Sequence, residues 1–348
     1  MSAQVFPSAN GNGGSGGAPN GIPSSSATSS KSTAEDGRSR STATNSNNNA
    51  PSSTSSNDTK HICSRFLKKR APDIYGQRHA IESSKCISDS LRLLERELWK
   101  LPEEKKSGIE QASVLCPEIF EAKEHRLLFL RCEQFNVDLA ALRMANYWIR
   151  RIELFGSKAF TPFSIAESKE KDGHELSMGF LRLLPETDGT GRCNIFIDPS
   201  VLEDNTYNDE SMVRAAWYTL HAALEEYDST QQKGIVFLVY LRNTYVRHFD
   251  RSLVTLLANS IRGTLPVRVS AIHIFHAPYL FEVLFDVVSL LLGERLTKRM
   301  KMYSGEDEAI HDQLEDFGIL PSRLPKELGG SLEFDQDRWI RERENEGK

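Results

Sequence analysis

His273 and His276, three residues apart, are the first candidates for chemistry in this chain of 348 residues, since paired imidazoles can hold a metal or pass a proton. They fall at the end of an apolar run that reads as a strand. An odd spacing on a strand sends two side chains to opposite faces, so joint ligation is not expected. Asp198 and Asp204 flank a loop that lacks the acidic spacing of a calcium loop, and neither a G-x-S-x-G elbow nor a phosphate-cradling glycine run occurs. Gly189-Thr190-Gly191 reads as a hairpin turn. The five cysteines, Cys63, Cys86, Cys116, Cys132 and Cys193, are widely spaced without a CxxC pair, and read as reduced thiols. Without a convergent set, an enzyme is the least supported reading. No catalytic residue, metal or cofactor is expected.

The sequence concentrates apolar surface instead. From Ala277 to Leu292 only Glu282, Asp286 and Ser289 are polar among the residues after Pro278, which suits a first helical turn; Gly293 stops the run. The segment is too short to span a bilayer, yet its apolar surface exceeds the single stripe of a surface helix. It either lies buried between layers or covers a ligand and meets a membrane. Directly after it, Glu294 to Lys301 reads as continuing helix, with Arg295, Lys298, Arg299 and Met302 at three- and four-residue steps. Cations on one face beside an apolar helix suit an anionic membrane, or simply a solvated helix end favourable to the macrodipole.

The elements around this segment change character along the chain. Residues 1–60 are nearly all Ser, Asn, Gly, Thr and Ala, too poor in apolar surface to offset chain entropy, and read as a disordered tail. The basic run Arg65, Lys68, Lys69 and Arg70 follows, best read as a solvated linker. Residues 61–156 form a helical subdomain: Ile87, Leu91, Leu94 and Leu98 recur at helical spacing, as do Leu139, Leu142, Ala145 and Ile149. From 157 to 330 strands alternate with helices. Asn194–Ile197, Gly234–Tyr240 and Val269–Phe275 are continuous apolar runs, the mark of strands covered on both faces. Between them lie helices from Ser211 to Tyr227 and from Asp250, an expected cap, to Arg262. The fold class is α/β, a mostly parallel sheet preceded by a small all-α subdomain. Residues 331–348 are a charged C-terminal segment.

Two ordered stretches carry a resemblance. Phe129-Leu130-Arg131-Cys132-Glu133-Gln134-Phe135 with Asn146-Tyr147-Trp148-Ile149-Arg150, and Pro266 to Ile274 through Ala277-Pro278 and Phe281 to Leu324-Pro325-Lys326-Glu327-Leu328-Gly329-Gly330, resemble the CRAL-TRIO lipid-binding family. The resemblance covers about 126–330. It implies a sheet-floored lipid pocket whose lid is the helix from Pro278 to Leu292, and a core role for His273. The family's phosphatidylinositol-transferring branch reads inositol phosphate with a Glu and a Lys at positions held here by Val267 and Ser289. That branch also holds phosphocholine by hydroxyls on the strand occupied here by Ile235 and Phe237. The tocopherol- and retinoid-carrying branch is the nearer likeness in motif: Arg268, Arg295 and Arg299 match its basic patch, whereas Ser270 does not.

The formal charge of -5 argues against nucleic acid as a partner. With no apolar run long enough for a membrane span and no leader-like start, the cytoplasm with peripheral membrane association is the expected address. The expected function is a monomeric, non-enzymatic carrier of one hydrophobic lipid, exchanged at phosphoinositide-containing membranes. The alternative is a protein-interaction scaffold that keeps the fold without a transferred ligand. The expected pocket walls are Ile235, Phe237, Val239, Leu257, Ile261 and Ile272, with Phe281, Leu284, Val287 and Val288 on the lid. The expected membrane contacts are Arg268, Arg295, Lys298 and Arg299.

Overall fold

The structure, a computed structural model, describes residues 71–348 except 204, 205 and 280, with backbone alone at 167, 282 and 283. The expected tail, the basic run at 65–70 and Cys63 lie outside the described residues. Helices α1 (Ser84–Leu98), α2 (Glu103–Leu115), α3 (Lys123–Cys132) and α4 (Val137–Phe155) come first. Ser83 caps α1 by accepting the Cys86 N–H, and Asn136 caps α4 by accepting that of Leu139. A Cβ on Gly108 of α2 would stand 2.6 Å from the Ile149 nitrogen, so the close approach of α2 to α4 requires glycine.

The buried face of α4 is rotated from the expected one. Ala140, Ala141, Met144 and Trp148 are buried, whereas Leu139 and Leu142 are 47% and 37% exposed. The inner side instead takes Arg151, whose guanidinium lies 4.1 Å from the Phe163 ring centroid and donates to the Tyr147 hydroxyl at 2.8 Å. Enclosing this cation among aromatic rings fixes the helix's rotation at the expense of two leucines.

After α5 (Ile165–Ser177) the chain builds a five-stranded sheet whose strand order follows the sequence: β1 (Leu181–Thr187), β2 (Cys193–Ile197), β3 (Ile235–Tyr240), β4 (Val269–Phe275) and β5 (Met300–Tyr303). β1 and β2 are antiparallel, and the other neighbours are parallel. Asp188 shapes the β1–β2 turn by accepting the N–H groups of Thr190 and Arg192. Because consecutive strands are neighbours, crossovers of one hand bring α6 (Asp209–Glu226), α7 (Arg251–Ile261) and α8 (Phe281–Leu292) to the same face. The opposite face is covered by Tyr75, by Ile310 and Leu314 of α9 (Asp307–Glu315), and by Phe317, Leu324 and Leu328. In that closing stretch Gly330 sits where a Cβ would meet the Leu324 carbonyl oxygen at 2.0 Å, and Glu327 pairs with Arg182 at 2.8 Å. The segment 331–348 contains α10 (Gln336–Asn345), which packs Ile340 against α5 and α6 and pairs Arg343 with Glu225.

Two expectations are overturned. The helical turn after α8 covers only Glu294–Thr297, and residues 300–303 pair with β4 as a strand. The edge of β4 offers backbone partners that override the local three-and-four spacing, so Arg295, Lys298 and Arg299 do not share a continuous helix face with Met302. Cys116, Cys132 and Cys193 are free and buried, but Cys86 is disulfide-bonded, against the reading of five reduced thiols.

Candidate functional site

The alternation of β3 and β4 sorts their side chains between two cores. Val236, Leu238 and Phe275 enter the core under α9, whereas Phe237 and Val239 face α6, α7 and α8 beside their register partners Ile272 and Ile274. Those four form the floor of a cavity of about 640 Å³. Leu257 and Ile261 of α7 and Trp217 and Leu220 of α6 make its walls. Asp250 caps α7 by accepting the Leu253 N–H at 3.0 Å and so sets where that wall begins.

The cover is α8. Phe281, Leu284, Val288 and Leu292, at steps of three and four, turn one stripe into the cavity. Asp286 and Leu290 face outward, and Leu290 is 76% exposed. The C-terminal end of the cover is tethered: Arg262 donates to the Leu291 carbonyl at 2.9 Å and the Thr297 hydroxyl to that of Ser289 at 3.2 Å.

Eight of the ten expected wall residues line this space, and two do not. Ile235, at the start of β3, is packed wholly into the core, and Val287 sits off the inward stripe of α8. Trp217 and Leu220 of the Ser211 to Tyr227 helix line the cavity without having been expected there. The 241–249 connection, which supplies Thr244 and His248 to the lining, carries no sequence signal for that role.

A second, smaller cavity of about 160 Å³ opens at the end of α8, where Arg268, Arg295 and Arg299 converge with Arg143 and Arg262, and Glu294 also lines it. Lys298 does not line it; exposed, it pairs with Glu294 at 2.5 Å. The arginines differ in freedom. Arg143 is matched by Glu133 at 2.6 Å and donates to the Leu265 carbonyl. Arg268 is 5% exposed and donates to the Gln232 carbonyl at 3.1 Å; burial and the neighbouring Arg299 push it down to about 10. Burial, then the charge of Arg295, also lowers Arg299, which reaches the Val269 carbonyl. Arg295 is exposed. Arg143 is paired with Glu133 and Glu294 with Lys298, so the other guanidinium groups leave an excess of positive charge suited to an anion.

His273 is buried, with Nδ1 2.7 Å from the Tyr303 hydroxyl, and burial holds it down to about 3, a neutral core side chain. His276 lies one residue past β4 in the left-handed region, φ 53°, so strand alternation does not govern it; Asp307 stands 3.0 Å away. Among the described residues no group of three or more His, Cys, Asp or Glu is placed to hold a metal, and no helix is long and apolar enough to cross a membrane.

Fold and site together define an α/β lobe enclosing an apolar cavity beneath a helical cover. Residues 178–330 match the CRAL/TRIO domain, and the chain therefore carries a domain of that family. It is 28% identical over 220 residues to "Alpha-tocopherol transfer protein-like" of Homo sapiens and of Mus musculus, a match covering 61% of this chain and 60% of each relative. The chain thus spans about three fifths of the length of those relatives. Tyrosine-protein phosphatase non-receptor type 9 of Homo sapiens is 24% identical over 204 residues, covering 55% of this chain and 32% of the phosphatase. Among solved structures, the crystal structure of Sfh5 aligns with a TM-score of 0.44 and 14% identity, over 84% of this chain and 99% of that one.

Proposed function

We propose that this protein is a carrier that encloses one hydrophobic lipid in the large cavity and exchanges it at phosphoinositide-containing membranes. The observation that carries the reading is the cavity itself: apolar side chains of sheet, walls and cover surround about 640 Å³. That volume falls in the range of small-molecule sites. A ligand that buries about 400 Å² of apolar surface gains on the order of 10 kcal/mol before ordering costs, without any charged anchor. The reading contains no catalytic step. Asp250, the acidic residue in the cavity lining, is occupied as a helix cap and by the Tyr207 hydroxyl at 2.8 Å.

Opening the cover exposes its inner apolar stripe, which is costly in water and not at a bilayer interface. The exposed Leu290 places an apolar group on the outer side of α8, two residues from Leu292 in the lining of the arginine cavity, so one approach serves both contacts. Each cation near an anionic surface adds about 1 kcal/mol, so the exposed Arg295 alone is worth about fivefold in attachment. The test is transfer of a fluorescent lipid to phosphoinositide-containing vesicles by wild type, by the triple variant Arg268→Ala, Arg295→Ala, Arg299→Ala, and by Arg295→Glu. The last changes an exposed cation alone and so spares the carbonyl contacts of Arg268 and Arg299. Transfer slows in both variants, and in wild type with added salt. Equal rates for all three proteins, with neutral and anionic vesicles bound alike, overturn the membrane part of the proposal.

A further inference from the structure

Residues 73–79 lie as a strap beside the N-terminal ends of β2 and β4, and alternate side chains anchor it. Asp73 pairs with Arg192. Tyr75 stacks on Phe317 at 5.3 Å and lies 4.6 Å from the Arg192 guanidinium, and the Gln77 amide donates to the Ser270 carbonyl at 3.0 Å. The last of the series, His79, meets Arg268. Its Nε2 stands 2.6 Å from the Asp73 carboxylate, which makes Nε2 the protonated nitrogen of the neutral ring. Nδ1 then keeps its lone pair and accepts an Arg268 N–H at 3.2 Å. The same guanidinium donates to the Gln232 carbonyl, in the short helix Asp228–Lys233, at 3.1 Å and to the Arg78 carbonyl at 3.3 Å.

Arg268 thus forms a wall between two spaces. On the strap side is a cavity of about 100 Å³ lined by His79, Glu82, Arg131 and Lys233; on the other is the arginine cavity at the end of α8. Its strap-side partners are two carbonyls and one imidazole lone pair, and its Nε–H has no hydrogen-bond partner among the described residues. The charges facing His79 come from every side. Asp73 on its own strap and Arg192 of the β1–β2 turn, at 3.5 Å, oppose one another at Nε2, and Arg268 faces Nδ1. Beyond them lie the Glu82–Arg131 pair at 2.8 Å and Lys233, which donates to the Thr190 carbonyl. Burial, opposed by the Asp73 hydrogen bond and helped by the Arg268 charge, holds His79 below its usual range.

We propose that His79 is a positioning residue for Arg268, and that a proton on its Nδ1 releases the arginine towards an anionic surface. The proton, taken from water, consumes the lone pair on which Arg268 rests. The new N–H points at the Gln232 carbonyl, 3.2 Å away, and competes with Arg268 for it. Two cations then stand 3.2 Å apart, and turning the guanidinium into the arginine cavity relieves the repulsion. An anion in that cavity does the reverse: it draws Arg268 away and lets His79 take up the proton, so binding and protonation favour each other. The inference adds a proton-linked control to the basic cavity and rests on the membrane part of the carrier reading.

The test uses the full chain and two kinds of vesicle, phosphatidylcholine alone and phosphatidylcholine with phosphatidylserine. The carboxylate of phosphatidylserine titrates well below the range from pH 7 to pH 5.5, so the vesicle charge stays constant. Co-sedimentation gives the affinity of wild type, His79→Gln and Arg268→Gln at the two pH values, with near-UV dichroism to show that each is folded. One cation gained at an anionic surface corresponds to about fivefold in attachment. Wild type therefore binds the serine-containing vesicles about fivefold more tightly at pH 5.5 than at pH 7. Neither variant shows that gain, because Gln at 79 takes up no proton and Gln at 268 has no charge to release; either folded variant alone suffices for the comparison. A gain retained in folded His79→Gln or Arg268→Gln, or no gain in wild type, overturns the proposal and leaves the membrane reading standing. Equal binding of wild type to both kinds of vesicle at both pH values removes the membrane reading and this inference with it.

Discussion

Phe237→Asp places a carboxylate in the cavity floor at a side chain that is 4% exposed and sits beside Ile272. An apolar ligand cannot solvate that charge, so binding requires the carboxyl to be protonated or to stay hydrated at the ligand's expense. Protonating a carboxyl of ordinary pKa, about 3.9, at pH 7 costs about 4 kcal/mol, close to a thousandfold in affinity. The penalty has a signature that lost packing lacks. It grows about tenfold from pH 7 to pH 8 in Phe237→Asp, and not in Phe237→Asn, which removes the same ring without adding a charge. Removing a buried ring also destabilises, by about 3–5 kcal/mol, so thermal melts and near-UV dichroism must first show that both variants are folded. The assay is equilibrium binding of a pyrene-labelled long-chain alcohol at the two pH values. Unchanged affinity in folded Phe237→Asp, or an identical pH response in the Asp and Asn variants, refutes the placement of Phe237 in the ligand's wall.

Acid sensitivity follows from two buried histidines, His221 and His273, and from the half-buried His125. Burial, then the charge of Arg151, holds His125 down to about 3 and His221 well below its usual range, and burial with Lys301 holds His273 down to about 3. The unfolded chain binds protons below about pH 6.5 where the folded chain does not, so this stability is present above pH 6.5 and is lost as pH falls towards 3. Each histidine then costs on the order of 1 kcal/mol per pH unit, and the urea midpoint drops between pH 7 and pH 5.5; a constant midpoint contradicts the assignment. A truncation starting at Lys60 keeps the melting temperature and ligand capacity of the full chain, since residues 1–60 offer almost no apolar surface; a loss of more than a few degrees refutes this. Asp73→Asn, by contrast, weakens the ion pair of Arg192, whose side chain is 1% exposed, and destabilises by about 3 kcal/mol in denaturant titration.

The strands and the cover were legible because their signals are local. Val269–Phe275 is a continuous apolar run and forms β4 over those residues, and the stripe of Phe281, Leu284 and Val288 follows from helical geometry alone. What was missed depends on partners distant in sequence. Met300–Tyr303 is a strand because the β4 edge is available, and nothing in its own spacing says so. The rotation of α4 is decided by Phe163, outside that helix, against Arg151. Arg143 of α4 and Arg262 just past α7 join the basic cavity at the end of α8, a meeting that only the assembled fold produces. The 241–249 connection escaped for the same reason: Thr244 and His248 gain meaning from the wall they complete.

The central claim is that the large cavity holds a lipid, and native mass spectrometry of the gently purified full chain, paired with solvent extraction, tests it most directly. The account predicts a species heavier than the chain by one lipid molecule, with a stoichiometric amount of that lipid recovered in the extract. A folded chain that carries only its own mass, with no lipid in the extract and none taken up from vesicles, contradicts it.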